Sequence, residues 1–147
     1  MIRNLQVVTN KPIEIVTAGA ELTRGMAVTF APATKSVTAA TTGTNVCFVD
    51  VAMNFDGCNA AITPTDADFE EIKNGDLVLK IVPLHGEHYA TNQITASGLN
   101  PGDPLTASAG KLVKATTGAG TDNSAGFVYV GKYDDPDFDD MYEIYVL

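Results

Sequence analysis

Two short stretches gather side chains capable of chemistry. His85-Gly86-Glu87-His88 is where imidazole meets carboxylate, and Asp134-Asp135-Pro136-Asp137-Phe138-Asp139-Asp140 is the densest run of acids. Two imidazoles this close suit zinc, but a zinc site takes three or four donors. These are the only two histidines, and Cys47 and Cys58 lie far off in the sequence. On a strand, positions 85 and 88 face opposite sides, and Gly86 favours a hairpin tip, so the expectation is a solvated turn. In the acidic run, carboxylates at 135, 137 and 139 have the alternate spacing of a calcium loop. Asp140 stands where such a loop needs Gly, and Val146 where it needs its bidentate Glu. The run is therefore read as a solvated connection between the last two strands, its charge available to basic groups on a partner. Neither metal nor cofactor is expected.

Covalent and acid–base catalysis find no better footing. Asp66, Asp68, Glu70 and Glu71 form a cluster of acids, but acids gathered at a helix start serve the cap and the helix dipole. Cys47 lies in an apolar run, and no activating neighbour is visible for a nucleophilic thiolate. Gly-x-Ser-x-Gly, phosphate-loop and dinucleotide fingerprints do not occur. The chain is read as a non-enzyme.

What must position these residues is a β framework. The 147 residues suit one domain with a sizeable core, and 45% of them are hydrophobic. Charged residues make up 18%, with 18 acids against 9 bases and a net charge of -9. Binding to nucleic acid or to anionic membranes draws on Lys and Arg, so neither is expected. Met1–Pro12 lacks the apolar stretch and cleavage site of an export signal, so both cysteines are expected as buried free thiols. Strand signals fall at Ile13–Val16, Ala27–Phe30, Ser36–Ala40, Val46–Val51, Leu77–Val82, Tyr89–Ile94, Leu112–Thr116, Gly126–Tyr133 and Tyr142–Leu147, with Gly, Pro, Asn and Asp clusters between them. Such spacing predicts a mainly β fold, a small antiparallel β-barrel or β-sandwich. One short helix at most is predicted, near Asp66–Ile72.

The chain also resembles itself. Leu22-Thr23-Arg24-Gly25-Met26-Ala27-Val28 is echoed by Leu99-Asn100-Pro101-Gly102-Asp103-Pro104-Leu105. Each is followed by a turn, a Lys-led segment (Lys35–Thr42 or Lys111–Thr117) and an aromatic-centred strand, Val46–Val49 or Phe127–Val130. The expected organisation is one β domain over 12–147, with a pseudo-repeat spanning about 20–51 and 97–132, two copies being too few for a solenoid. Residues 1–11 lie outside both passes and are read as an N-terminal arm. Its Ile2, Arg3, Leu5, Val7 and Val8 are the expected partner contacts, made by adding a strand to another chain's sheet edge; the competing expectation is a first strand of the protein's own sheet.

On these paired turns, the Ala-Gly-Lys-Leu-Val segment, the late Ala-Gly-Phe-Val-Tyr-Val-Gly strand and the terminal Tyr142–Leu147 strand, the chain resembles the capsid decoration (cement) proteins of tailed bacteriophages. The resemblance implies a small β-barrel or β-tulip-like domain, commonly a homotrimer. It would be made in the host cytoplasm and seated on the capsid exterior of the virion, with the major capsid protein as partner. Residues 52–75 are an insertion relative to the smallest such proteins. The alternative is a carbohydrate- or receptor-binding β module of a phage fibre or other extracellular structure. Such a module would want aromatic platforms, and the chain has no Trp.

Overall fold

The computed structural model describes residues 1–6, 14–51, 70–116, 123–136 and 138–147. Among them every helix or strand element is a strand: β1 (Ile2–Gln6), β2 (Glu14–Ala18), β3 (Leu22–Thr23), β4 (Ala27–Ala31), β5 (Ser36–Ala39), β6 (Val46–Val51), β7 (Glu71–Ile72), β8 (Leu77–Ile81), β9 (His88–Thr91), β10 (Pro104–Ser108), β11 (Lys111–Lys114), β12 (Phe127–Tyr133) and β13 (Met141–Val146). The fold is mainly β and almost wholly antiparallel, as the turn spacing predicts. The expected helix is corrected at its described end. Glu71 and Ile72 pair as β7 with Thr23 and Leu22 of β3. Burial of Ile72 beside Leu22 in one core outweighs the local capping signal. Asp66–Phe69 lie outside the described residues.

Strands β2, β5, β4, β6 and β8 close a barrel in that order, β2 and β5 running parallel and every other pair antiparallel. The remaining long strands form a six-stranded sheet in the order β1-β9-β13-β12-β10-β11. A parallel bridge between Ile94 and Leu112 carries the chain after β9 round to β11, so this sheet also curls on itself. Omitting β1, it repeats the neighbour order of the barrel: β9 takes the place of β2, β10 of β4, β11 of β5, β12 of β6 and β13 of β8.

The repetition holds at matched positions over most of the ladders, apart from a bulge between Tyr129 and Gly131 in the second unit. Val28 faces Ala39 and Cys47 in the first unit, while Leu105 faces Lys114 and Phe127 in the second. Gly25 N–H donates to Val49 O and Gly102 N–H to Tyr129 O, both at 2.8 Å. Ala40 N–H reaches Ala27 O at 2.9 Å, and Ala115 N–H reaches Pro104 O at 2.8 Å. The outer strands follow suit, since Glu14 pairs with Lys80 and Ile15 with Leu79, just as Tyr89 pairs with Ile144 and Ala90 with Glu143. The pattern read from sequence thus extends beyond its two passes into two whole units.

The first barrel is filled by small side chains, among them Val16, Val28, Val37, Cys47, Val49 and Val78. The second holds larger ones, including Leu105, Leu112, Phe127 and Ile144, and shares its cluster with Ala27, Ala40, Val46 and Phe48 of the first unit. Phe48 lies 5.6 Å from the Tyr89 ring and 5.4 Å from that of Phe127, both tilted. Unlike faces meet here, because the counterparts of Ala27 and Phe48, Pro104 and Val128, are only half-buried. A fully buried Phe contributes roughly 1.5–3 kcal/mol from area alone, so this one ring fastens the two units together.

Candidate functional site

The expected N-terminal arm is the largest correction. Residues Ile2–Gln6 pair antiparallel with β9, with a bulge between Asn4 and Gln6. Ile2 is buried in the shared core, and Leu5 packs on a small cluster of Met1, Ala90 and Met141. Arg3 turns to the acidic run, donating from Nε to Asp135 Oδ2 at 2.9 Å and lying 5.4 Å from the Phe138 ring centroid. Over 2–6 the segment is a strand of the protein's own sheet, because its apolar side chains find cover within the chain. Val7 and Val8 lie outside the described residues.

Met1 anchors the strand. Its α-amino group donates to Arg24 O and, at 2.7 Å, to Asn92 Oδ1, with Glu70 Oε1 3.6 Å away. Burial pushes the pKa of this amine down to about 6 despite the opposing pull of Glu70. Gly25 makes the site possible: it combines a φ of +87° with so close an approach that a Cβ would lie 2.3 Å from Met1 O.

The histidine stretch forms a turn with His85 exposed, as expected, but the turn differs in what it joins. Gly86 has a φ of +87° in a turn between β8 and β9, but these strands do not pair, so the turn joins the two units and is no hairpin tip. Both imidazoles flank Tyr145, His88 at 4.9 Å and His85 at 6.5 Å between centroids. His88 Nδ1 also lies 2.6 Å from Glu143 Oε1. Glu87 is fully buried and organises the turn, its Oε2 accepting from Leu84 N at 2.8 Å and from Tyr89 Oη at 2.6 Å. Burial and this carboxylate push the Tyr89 hydroxyl pKa up.

In the acidic run, Asp135 is held by Arg3, and Asp140 Oδ1 lies 3.7 Å from Lys132 Nζ. Asp137 lies outside the described residues. Among those described, no three His, Cys, Asp or Glu side chains come together as metal ligands. Cys47 is a buried free thiol whose pKa is raised by burial; Cys58 is not among the described residues.

Sequence reasoning missed two groups. Lys80 Nζ is bonded to Glu14 and lies 3.6 Å from the Phe30 ring centroid, a charged pair where the second unit has Tyr89 and Ile144. Ile15, Leu77, Val82, Leu84 and Leu147 are exposed apolar side chains. A visible signal for Leu77 was the run Leu77-Val78-Leu79-Lys80-Ile81, apolar on both faces, as in strands covered on both sides. Comparison with known protein families, curated proteins and solved structures gives no match.

Proposed function

We propose that the chain is a structural decoration protein of a tailed-bacteriophage capsid, which binds the outer surface of the expanded head, stabilises it and catalyses nothing. The observation that carries the reading is the pair of like β units fused through a shared aromatic core, with the exposed apolar side chains of Ile15 and Leu77 set on strands. The succession of turns and strands that resembles the cement proteins runs through both units. A ligand that binds only the expanded lattice stabilises it by mass action, about 2.7 kcal/mol per site at a free concentration one hundred times Kd. Many copies bridging subunit boundaries multiply the effect. In this reading the partners are the major capsid protein and two further copies in a homotrimer on the virion exterior. A net charge of -9 keeps nucleic acid and anionic membranes outside the set.

The test is co-sedimentation of the purified protein with unexpanded and with expanded heads of the phage that encodes it. Saturable pelleting with expanded heads alone, together with a raised melting temperature of the heads, is the expected result. Pelleting with neither form refutes the proposal.

A further inference from the structure

The two units differ in what lies against the outer face of their first and last strands. In the second unit, Ala90 of β9 and Met141 of β13 are both 0% exposed, packed with Met1 and Leu5 of the first six residues and with Tyr133 and Phe138. β1 runs along β9 on the side away from β13 and completes this cover. The shared register carries those positions to the first unit, Ala90 to Ile15 and Met141 to Leu77. Here Ile15 and Leu77 are each 59% exposed. β2 meets β5 only at Thr17 and Ala18, so among the described residues the edge of β2 away from β8 is unpaired at Ile15, whose N–H and C=O point to that side. An open strand edge and an apolar face therefore coincide where the other unit has both filled.

We propose that this edge and face dock an extended segment of another protein, which pairs with Glu14–Val16 and covers Ile15 and Leu77 as β1 covers β9 and β13. A second copy has its β1 already committed to its own β9. Charge selects the occupant. Beside Leu77 lies a cleft of about 360 Å³ lined by Glu71, Asp76, Ile72 and Val78 among others, with two carboxylates at an apolar wall. In the second unit the covering strand meets an acid with a base, Arg3 against Asp135. The occupant is accordingly a basic segment with alternating apolar residues, gaining ladder hydrogen bonds from the edge and specificity from side chains on alternate positions. The inference rests on the comparison of the two units and stands apart from the capsid reading.

The experiment uses the full chain and a synthetic peptide, acetyl-Thr-Val-Arg-Val-Thr-Val-amide, followed by amide chemical shifts and hydrogen exchange. Saturable shifts and slowed exchange confined to residues 14–17 and 77–80 are expected. Affinity should fall about tenfold or more in Ile15→Asp and in Leu77→Asp, and for a peptide with Glu in place of Arg. Ile15→Thr, which keeps a strand-forming residue, should weaken binding with an unchanged melting temperature, and Leu147→Asp should leave binding intact. The proposal is overturned if the peptide fails to bind, if it perturbs β1 and β9 instead, or if the Glu peptide binds equally well. It is also overturned in favour of a second copy if the protein alone self-associates with rising concentration and Ile15→Asp abolishes that association.

Discussion

Gly25 and Gly102 hold corresponding turns, so each is the other's control. Their φ angles are +87° and +92°, a region where alanine costs about 1 kcal/mol from the backbone alone. At Gly102 an added Cβ meets nothing within 4 Å. At Gly25 it would lie 2.3 Å from Met1 O and 2.6 Å from Met1 C, backbone atoms that can yield only if the N-terminal residue moves. Moving it breaks the amine's hydrogen bonds to Arg24 and Asn92 and exposes a side chain that is 2% exposed, worth roughly 1.5–3 kcal/mol. Gly102→Ala should therefore cost about 1 kcal/mol and Gly25→Ala about 3–4 kcal/mol. For a chain of this length, that is a melting temperature lower by roughly 2–4 °C in the first case and roughly 6–16 °C in the second. Urea unfolding and thermal melts of both variants measure the difference. Equal losses, within about 0.5 kcal/mol, would show that Met1 does not sit on Gly25 and that the N-terminal segment is a free arm after all.

Three other outcomes follow from the same structure. Glu14→Gln leaves the buried Lys80 ammonium without its carboxylate and should cost about 1–2 kcal/mol, discounted because Glu14 is half exposed; Lys80→Met removes the buried charge itself and should change urea stability by less than about 1 kcal/mol. Phe48→Ala, which empties the contact with Tyr89 and Phe127, should cost about 3–5 kcal/mol in the same assay. The Met1 amine, at about 6 when folded against 8.0 as its ordinary value, binds more protons unfolded between those pH values, so stability is fullest above pH 8 and is lost as pH falls towards 6. The loss should be roughly 1–3 kcal/mol, and Nα-acetylation, read by urea titrations across pH 5.5–8.5, should remove that component; an unchanged pH profile after acetylation would count against the buried amine, which faces Glu70, Arg24 and Asp50.

Strands with a clean apolar rhythm and flanking turns were legible in the sequence; those shaped by tertiary contact were not. Val46–Val51 matches β6 at both ends, and Ala27–Phe30 and Ser36–Ala40 fall within a residue of β4 and β5. β1 was legible only as the competing reading, because the bulge between Asn4 and Gln6 breaks the two-residue period, leaving Ile2 and Leu5 three apart. β10 begins with Pro and carries only one large apolar side chain, Leu105, so it looks like turn and linker; only its match to β4 through the repeat marks it as a strand. β3 and β7, two residues each, owe their pairing to Leu22 and Ile72 meeting in the first barrel. The exposed face was illegible for a different reason. Alternation shows that Ile15 and Leu77 occupy one side of a strand, but whether that side is covered depends on a comparison with Ala90 and Met141 that needs the register of both units.

The shared aromatic contact also decides how independent the two halves are. A small barrel filled with Val, Ala and Cys has little apolar volume, and domains of that size are marginal on their own. Phe48, Ala27 and Ala40 belong to the cluster shared with the second half rather than to the first barrel's own. Cutting the chain in the Leu84–Glu87 turn would turn a contact held at high effective concentration into an encounter between two separate polypeptides, and would open the hydrogen bonds by which Glu87 closes that turn. The halves look alike but lack autonomy: they form one cooperative unit, so a destabilising change in either is felt as loss of both.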